Sequence, residues 1–508
     1  MAQQIKLQAD GLRELRHVDD RLMSYNVEMT EVTGGTFWKA YTPGQIAGTE
    51  AFPAPKDFRE LGKIMQVYPP INLYNKKLRA LAKEFGPVWV RVSGTWASKT
   101  YYDFDGTTGG KAPEGYQSVL TKEQWIGVLD FVKALGAKLL ISVANCEGVH
   151  SAAEPWNPSE AEKIFSLSKE YGVPIDAAEF MNEPNILQYS GAPAGYTAAD
   201  YARDQDLFFA WVRKNYPETL LVGPCNTGSA DEEEALGAMS SSNNGKKGGG
   251  IADLMGNVAS LHDLMHGTQE KLDVYSYHYY NGISERLASA MPGAHWDPAQ
   301  AHTDEYLAVA GQSARANVPG RDKYCPGGQM WVTESGDAGG GDTWASTYLD
   351  ILRTLNELGE FATITDGIIF HNTLASSDYG FLDHSTYDPR PNYFAVLLWN
   401  RLMGTTVCDS GEPLREGAHV YAHSRRDGKP GLVYLIINNS LTDATTVDLP
   451  CKAQRYTLSA PALRSPVMYL NGRPLEWKGE HTLPDLSPVE QSAGTLELAP
   501  ASVTFLVL

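Results

Sequence analysis

Cysteine is scarce and scattered in this chain. Cys146, Cys225, Cys325, Cys408 and Cys451 lie far apart, are odd in number and form no Cys-x-x-Cys or Cys/His ligand spacing. Neither a disulfide framework nor a cysteine-built metal centre is expected, and the five read as free thiols, mildly favouring a cytoplasmic origin. Basic runs are also missing, none exceeding Lys246-Lys247 or Arg425-Arg426, and 42 Lys+Arg against 61 Asp+Glu give a net charge of −19. Nucleic acid and anionic membrane surfaces are thereby disfavoured as partners. No segment approaches the roughly 18 uninterrupted apolar residues of a membrane span, and Met1-Ala2-Gln3-Gln4 has neither the basic nor the apolar region of a leader. The expectation is a cytoplasmic protein, or a secreted or periplasmic one whose leader is absent from this chain. Repeats at solenoid periods are absent too, and Asn438-Asn439-Ser440 is the one glycosylation sequon.

What the chain does have is length and alternation. Its 508 residues exceed one ordinary core, whereas a β/α barrel uses about 250 and, with insertions, over 400. Eight short apolar runs, many β-branched or aromatic, are spread between residues 23 and 371: Met23–Met29, Val88–Val92, Lys138–Val143, Ala177–Asn182, Leu220–Gly223, Leu272–Tyr279, Met330–Glu334 and Gly367–His371. Helical periodicity lies between them. Thr121 caps one such pattern running to Leu135, Pro158-Ser159-Glu160-Ala161-Glu162 opens another, and Asp200–Tyr216 and Trp344–Leu358 are longer ones. Strands alternating with helices predict an α/β fold, a closed (β/α)8 barrel over residues 18–405. Ser240–Gly250, rich in Gly, Ser and Asn, reads as a loop on the fifth unit.

Beyond the helical stretch Tyr393–Met403 the helical period stops. Val420–His423, Leu432–Asn438, Val447–Leu449, Tyr456–Leu458, Val467–Leu470 and Val503–Leu508 read as strands separated by turns. Residues 406–508 are therefore expected to form an all-β sandwich, completed by a strand from residues 1–17 around Ile5-Lys6-Leu7.

Two strings place a glutamate where an apolar strand gives way to polar residues: Phe180-Met181-Asn182-Glu183-Pro184-Asn185, ending the fourth run, and Trp331-Val332-Thr333-Glu334-Ser335-Gly336, ending the seventh. All strands of such a barrel end on one face, so the two carboxyls converge by topology. Cleaving a glycosidic bond needs such a pair, one carboxyl neutral to protonate the leaving oxygen and one ionised on the opposite side of the anomeric carbon. Residues ending the other runs suit a sugar pocket: Glu28, Thr95, Trp96, Asn145, His278, Tyr279, Tyr280, His371 and Asn372. Asn182 is a candidate donor to a sugar 2-hydroxyl. No metal or cofactor is expected.

These strings resemble the barrel clan of retaining glycosidases. Ser93-Gly94-Thr95, Ser276-Tyr277-His278-Tyr279-Tyr280-Asn281-Gly282 and Tyr379-Gly380-Phe381-Leu382-Asp383 leading to Asp388-Pro389-Arg390-Pro391-Asn392-Tyr393 narrow this to the heparanase and β-glucuronidase family, glycoside hydrolase family 79. The resemblance runs from about residue 22 to 405. It implies Glu183 as acid/base, Glu334 as nucleophile, and a uronic carboxylate held by backbone N–H groups of Gly339, Gly340 or Gly341 and by the Tyr379 hydroxyl. Glu28 stands where the family has an aspartate. The implied substrate is a β-glucuronide cleaved from the chain end, with an endo-acting enzyme on glycosaminoglycan chains as the alternative and a non-catalytic carbohydrate-binding protein as a third reading. Oligomeric state has no signal here.

Overall fold

The computed structural model describes residues 3–53, 55, 58–227, 258–289, 293–479 and 482–508. Ser240–Gly250 lies outside the described residues.

Eight strands close a parallel barrel: β1 Met23–Glu28, β2 Trp89–Ser93, β3 Lys138–Ser142, β4 Ala177–Glu179, β5 Leu220–Thr227, β6 Val274–Tyr280, β7 Gln329–Gly336 and β8 Ile369–His371. Each pairs with the next and β8 with β1, through registers such as Tyr25↔Val90 and Ile369↔Met23. All eight apolar runs are these strands, because a strand buried on both faces needs apolar residues at consecutive positions. Most bounds shift by one or two residues, and two shift further. β4 stops at Glu179 rather than Asn182, and β5 runs on to Thr227 past an irregularity between Pro224 and Asn226.

The barrel interior changes character over a single inward step. Trp89, Leu140, Ala177, Val222, Val274, Trp331 and Phe370 form one apolar plug, with the Trp89 and Trp331 rings 4.9 Å apart. Two residues further along, on the same face by the strand period of two, come Arg91, Ser142, Glu179 and Ser276, all buried. The outward-facing Val90, Val92, Leu139, Ile141, Tyr275 and Tyr277 join the larger core beneath the surrounding helices. Hydrocarbon thus closes one end of the barrel, and polar groups line the end where the strands finish.

The helices start where their caps sit. Thr121 accepts from the N–H of Gln124, whose side chain accepts from Thr121 N–H, and Lys122–Leu135 ends at left-handed Gly136. The helix expected from Trp344 instead runs Leu349–Ile364. Residues before it are tied elsewhere: the Thr343 hydroxyl donates to Glu285 and Tyr348 N–H to the Ser465 carbonyl.

After the helix Pro391–Leu402, the strands Met403–Cys408, His419–Arg425, Leu432–Asn438, Ser502–Val507 and Ala453–Ser459 pair antiparallel in that order. A second sheet contains Gln3–Lys6, Thr445–Leu449 and Gly494–Leu498, with Ile5 opposite Val447 in parallel register. Ile5, Val447 and Leu496 share a core with Val420, Tyr434 and Leu506 of the larger sheet. A further N-terminal strand, Glu14–His17, edges the larger sheet beside Met403–Cys408 and was not evident in the sequence. The sequon fails sterically: the Asn438 amide is buried and donates to the Asp443, Leu498 and Ala499 carbonyls. All five cysteines are free thiols, and no helix among the described residues is long and apolar enough to cross a membrane.

Candidate active site

Glu183 lies four residues beyond β4, on the loop that Pro184 turns into a short 3₁₀ helix, Pro184–Ile186. Its φ of +46° puts a residue with a side chain in the left-handed region, a conformation costing on the order of 1–3 kcal/mol. The loop holds it there: Ile186 N–H and the Ser190 hydroxyl both donate to the Glu183 carbonyl, at 3.1 and 2.8 Å. Glu334 lies within β7, two residues before its end, where strand pairing fixes its direction.

Between them stands His278 of β6, whose Nδ1 is 3.0 Å from Glu183 Oε1 and 3.5 Å from Glu334 Oε2. Its other nitrogen faces the Arg91 guanidinium at 3.3 Å. A donor-only guanidinium on that side favours the tautomer carrying its proton on Nδ1, pointing at the two carboxylates. One oxygen of each glutamate and a nitrogen of His278 all lie within 4.8 Å of one another.

Glu334 is anchored at both oxygens. Arg91 Nη1 donates to Oε1 at 2.9 Å and the Tyr280 hydroxyl to Oε2 at 2.7 Å. Tyr280 is itself held by Asn372, whose amide donates to its hydroxyl at 3.0 Å. Burial alone would raise the Glu334 pKa, but the adjoining His278, the Arg91 charge and the two donated bonds outweigh it and hold the carboxyl below its ordinary value. Arg91 carries a second carboxylate, Glu179 of β4, through Nε and Nη2 at 3.1 and 3.0 Å, both side chains being fully buried. Its Nη2 also donates to Asn182 Oδ1 at 2.8 Å. With that oxygen engaged, the Asn182 amide presents its NH2 as a donor.

Glu28 has the opposite environment. It is buried, its Oε2 finds no hydrogen-bond partner among the described residues, and burial followed by the charge of Glu334 pushes its pKa well up. It can lie this close to β2 only because residue 94 is glycine: a Cβ there would come within 1.6 Å of Glu28 Oε2. Thr95 follows directly and is buried at the same exit. Tyr379 is buried with the carboxyls of Glu28 and Glu334 near enough to act on its hydroxyl after desolvation, and all these effects raise its pKa.

The three glycines are not equivalent. Gly339 N–H donates to the Gly282 carbonyl and Gly341 N–H to the Ala338 carbonyl, both at 2.9 Å, so these two donors hold the loop itself. Gly340, at φ +95°, has no such backbone bond among the described residues. Gly341 touches Tyr379: a Cβ on it would sit 2.6 Å from the ring.

Other residues from the rim of the sequence reading go elsewhere. Tyr279 faces outward, edge-on to Phe361 at 5.4 Å. Asn145 is paired with His150 and Met181, and His371 stacks on Phe381 and bonds the Tyr379 carbonyl. Arg91, Glu179 and Tyr189 were missed. The signal for the first two was a lone charge inside an apolar strand, since charged residues are almost never fully buried unless paired. Tyr189 carries the charges of Glu183, Glu28 and Glu334 in its surroundings, but sits in a loop with no periodic pattern. Glu183, His278 and Glu334 form a metal-like donor cluster, yet Arg91 already puts a positive charge 2.9 Å from Glu334. The donor set therefore suits a protonatable carboxylate pair better than a cation.

A closed parallel barrel carrying two convergent glutamates at its strand ends, beside an antiparallel sandwich, is the architecture of barrel glycosidases. No protein-family model matches the chain. Heparanase-like protein 1 of Arabidopsis thaliana is 24% identical over 493 residues, covering 86% of this chain and 85% of that protein. Baicalin-β-D-glucuronidase of Scutellaria baicalensis is 31% identical over 188 residues, 35% of this chain and 36% of that protein. Among solved structures, a 4-O-α-L-rhamnosyl-β-D-glucuronidase from Fusarium oxysporum 12S superposes with a TM-score of 0.62 at 12% identity, over 99% of this chain and 100% of that one. The chain is thus a relative of heparanase-like and glucuronidase glycoside hydrolases, the kinship its motifs carried.

Proposed function

We propose that this chain is a retaining, exo-acting β-glucuronidase. The observation that supports it most is the bridged pair: one carboxylate oxygen of Glu183 and one of Glu334 lie within 4.8 Å of each other, an approach that fits the close-set carboxyls of retaining enzymes, about 5–5.5 Å apart, better than the roughly 6.5–9.5 Å of inverting ones. Glu334, kept ionised by His278, Arg91 and Tyr280, attacks the anomeric carbon from below the ring. Glu183 delivers its proton to the departing oxygen, and the aglycone leaves as an alcohol. Water deprotonated by Glu183 then attacks the glycosyl ester, releasing glucuronic acid with its β configuration retained and restoring both carboxyls.

The Asn182 amide donates to the 2-hydroxyl, a bond that strengthens as positive charge develops at the adjacent carbon. Glu28, held neutral by burial and by Glu334, offers an O–H donor to a ring hydroxyl without adding a second negative charge beside the uronate. Gly340 N–H and the Tyr379 hydroxyl are the donors for the C5 carboxylate, with Gly339 and Gly341 shaping the loop; His278, Tyr280 and Thr95 complete the pocket. The names of the relatives, glucuronidase and heparanase-like, support the same sugar. A panel of aryl β-glycosides differing only at C5 tests it: the glucuronide should be turned over best. Preference for the glucoside would remove the uronate and leave the glycosidase.

An endo-acting, heparanase-like enzyme is the second reading, favoured by the match to a heparanase-like relative over 85% of that protein. Against a sulfated polymer stands the net charge of −19.

A further inference from the structure

The Gly339 carbonyl and the Gly340 N–H belong to one planar trans peptide and point in opposite directions. Ser284 N–H donates to that carbonyl at 3.1 Å, so the Gly340 N–H is turned away from the loop that follows β6. The Gly341 carbonyl is held as well, by the Ser284 hydroxyl at 2.6 Å and the Tyr41 hydroxyl at 2.7 Å. Trp38 closes another side: a Cβ on Gly340 would sit 3.4 Å from its ring and 3.2 Å from the Ser284 Cβ.

One buried cation stands behind both hydroxyls. Arg286 Nε donates to the Tyr41 oxygen at 3.0 Å and Arg286 N–H to the Ser284 oxygen at 3.3 Å. With each oxygen already accepting, each hydroxyl proton is left for the Gly341 carbonyl. The guanidinium also lies over the Tyr41 ring, 3.9 Å from its centre. Its remaining nitrogens reach other loops: Nη1 donates to the Lys39 carbonyl at 2.6 Å and Nη2 to Asp378 Oδ2 at 3.3 Å. That same Asp378 oxygen accepts from Tyr41 N–H at 3.2 Å, and Asp378 directly precedes Tyr379. Tyr41, Ser284, Arg286 and Asp378 are all buried.

An ion pair buried this deeply adds little net stability, because lost hydration offsets the attraction. What the planar fork supplies is direction. It joins the loops after β1 and β8 to its own after β6, and through Tyr41 it reaches the glycine loop after β7. All three guanidinium nitrogens are engaged by protein, so none is committed to a sugar. We propose that Arg286 is a positioning residue for uronate selectivity, fixing Gly340 through Tyr41 and Ser284 and fixing Tyr379 through Asp378. The inference rests on the glucuronidase reading above and adds the residues that hold its two carboxylate donors in register.

The test measures kcat/KM on p-nitrophenyl β-glucuronide and p-nitrophenyl β-glucoside for wild type, Arg286→Lys, Tyr41→Phe, Tyr379→Phe and the double variant Arg286→Lys/Tyr379→Phe. Arg286→Lys keeps a charge beside Asp378 but loses the fork; it should lower kcat/KM on the glucuronide roughly tenfold or more and leave the glucoside within about threefold of wild type. Tyr41→Phe removes only the hydroxyl and leaves the Arg286–Asp378 pair in place, so it carries the test if the Arg286 variant does not fold; its loss on the glucuronide should be roughly threefold to tenfold. Because Arg286 and Tyr379 serve one carboxylate, the double variant should lose less than the product of the single losses. Equal losses on both substrates, an unchanged glucuronide-to-glucoside ratio, or losses that multiply independently would each overturn the positioning role while the wild-type preference stands. A wild type that prefers the glucoside would overturn the glucuronidase reading itself, and the positioning role with it.

Discussion

Arg91 donates to Glu334 at 2.9 Å while its other edge is clamped to Glu179. One buried cation thereby fixes the direction of the proposed nucleophile and, after His278, favours its ionised form, and its own charge is balanced by the second carboxylate, Glu179. Arg91→Met should cost about 3–5 kcal/mol of stability, because it leaves two carboxylates buried without their partner. Arg91→Lys keeps the charge but not the fork; it should fold and lose roughly 100-fold or more in kcat with a smaller change in KM. Thermal melts and steady-state kinetics on both variants separate these effects.

The two glutamates should fail differently. Glu334→Gln should abolish turnover of every substrate. Glu183→Gln should slow poor leaving groups far more than activated aryl ones, which depart without a proton. Azide should partly restore Glu183→Ala by attacking the glycosyl ester in place of activated water. Equal loss across leaving groups would remove Glu183 from the acid role.

Tyr379→Phe deletes one hydrogen bond to a charged group, about 1.5–3 kcal/mol, or roughly tenfold to 100-fold in kcat/KM on a glucuronide. A neutral glucoside should lose much less. Measured with both enzymes and both substrates, the interaction is read as a cycle; equal losses would take the C5 carboxylate away from this hydroxyl.

Glu31 is a buried carboxyl whose pKa burial raises from 4.5 to about 8, against the opposing bonds from Glu28 N–H and Ser376. Because the folded pKa is above the unfolded one, the folded state binds the extra proton between these values, and stability falls as pH rises through that window. Asp337, raised to about 7 chiefly by burial, acts in the same sense. The melting temperature should therefore drop between about pH 5 and pH 8, and Glu31→Gln should flatten part of that slope. A melting temperature that climbs over the same range would contradict it.

The barrel was legible because its strands are buried on both faces and read as largely apolar runs between capped helices. The glutamate pair was legible because each sits at a change from apolar to polar residues. Arg91 and Glu179 were visible as interruptions of strands, but their partnership exists only once closure brings β2, β4 and β7 around one axis. Gly339–Gly341 announced a tight loop, and the Gly341 N–H bond to Ala338 closes it locally; that the Gly339 N–H is engaged by Gly282 depends on a neighbouring strand exit far away in sequence. The helix Leu349–Ile364 starts later than expected for a similar reason, since the Thr343 hydroxyl and the Tyr348 N–H are tied to Glu285 and Ser465.

The most direct test of the account is the anomer formed first. Proton NMR during early hydrolysis of an aryl β-glucuronide should show β-glucuronic acid appearing before mutarotation, as two displacements at one carbon require. α-Glucuronic acid as the first product would mean a single displacement, and the assignment of Glu334 as nucleophile would fall with it.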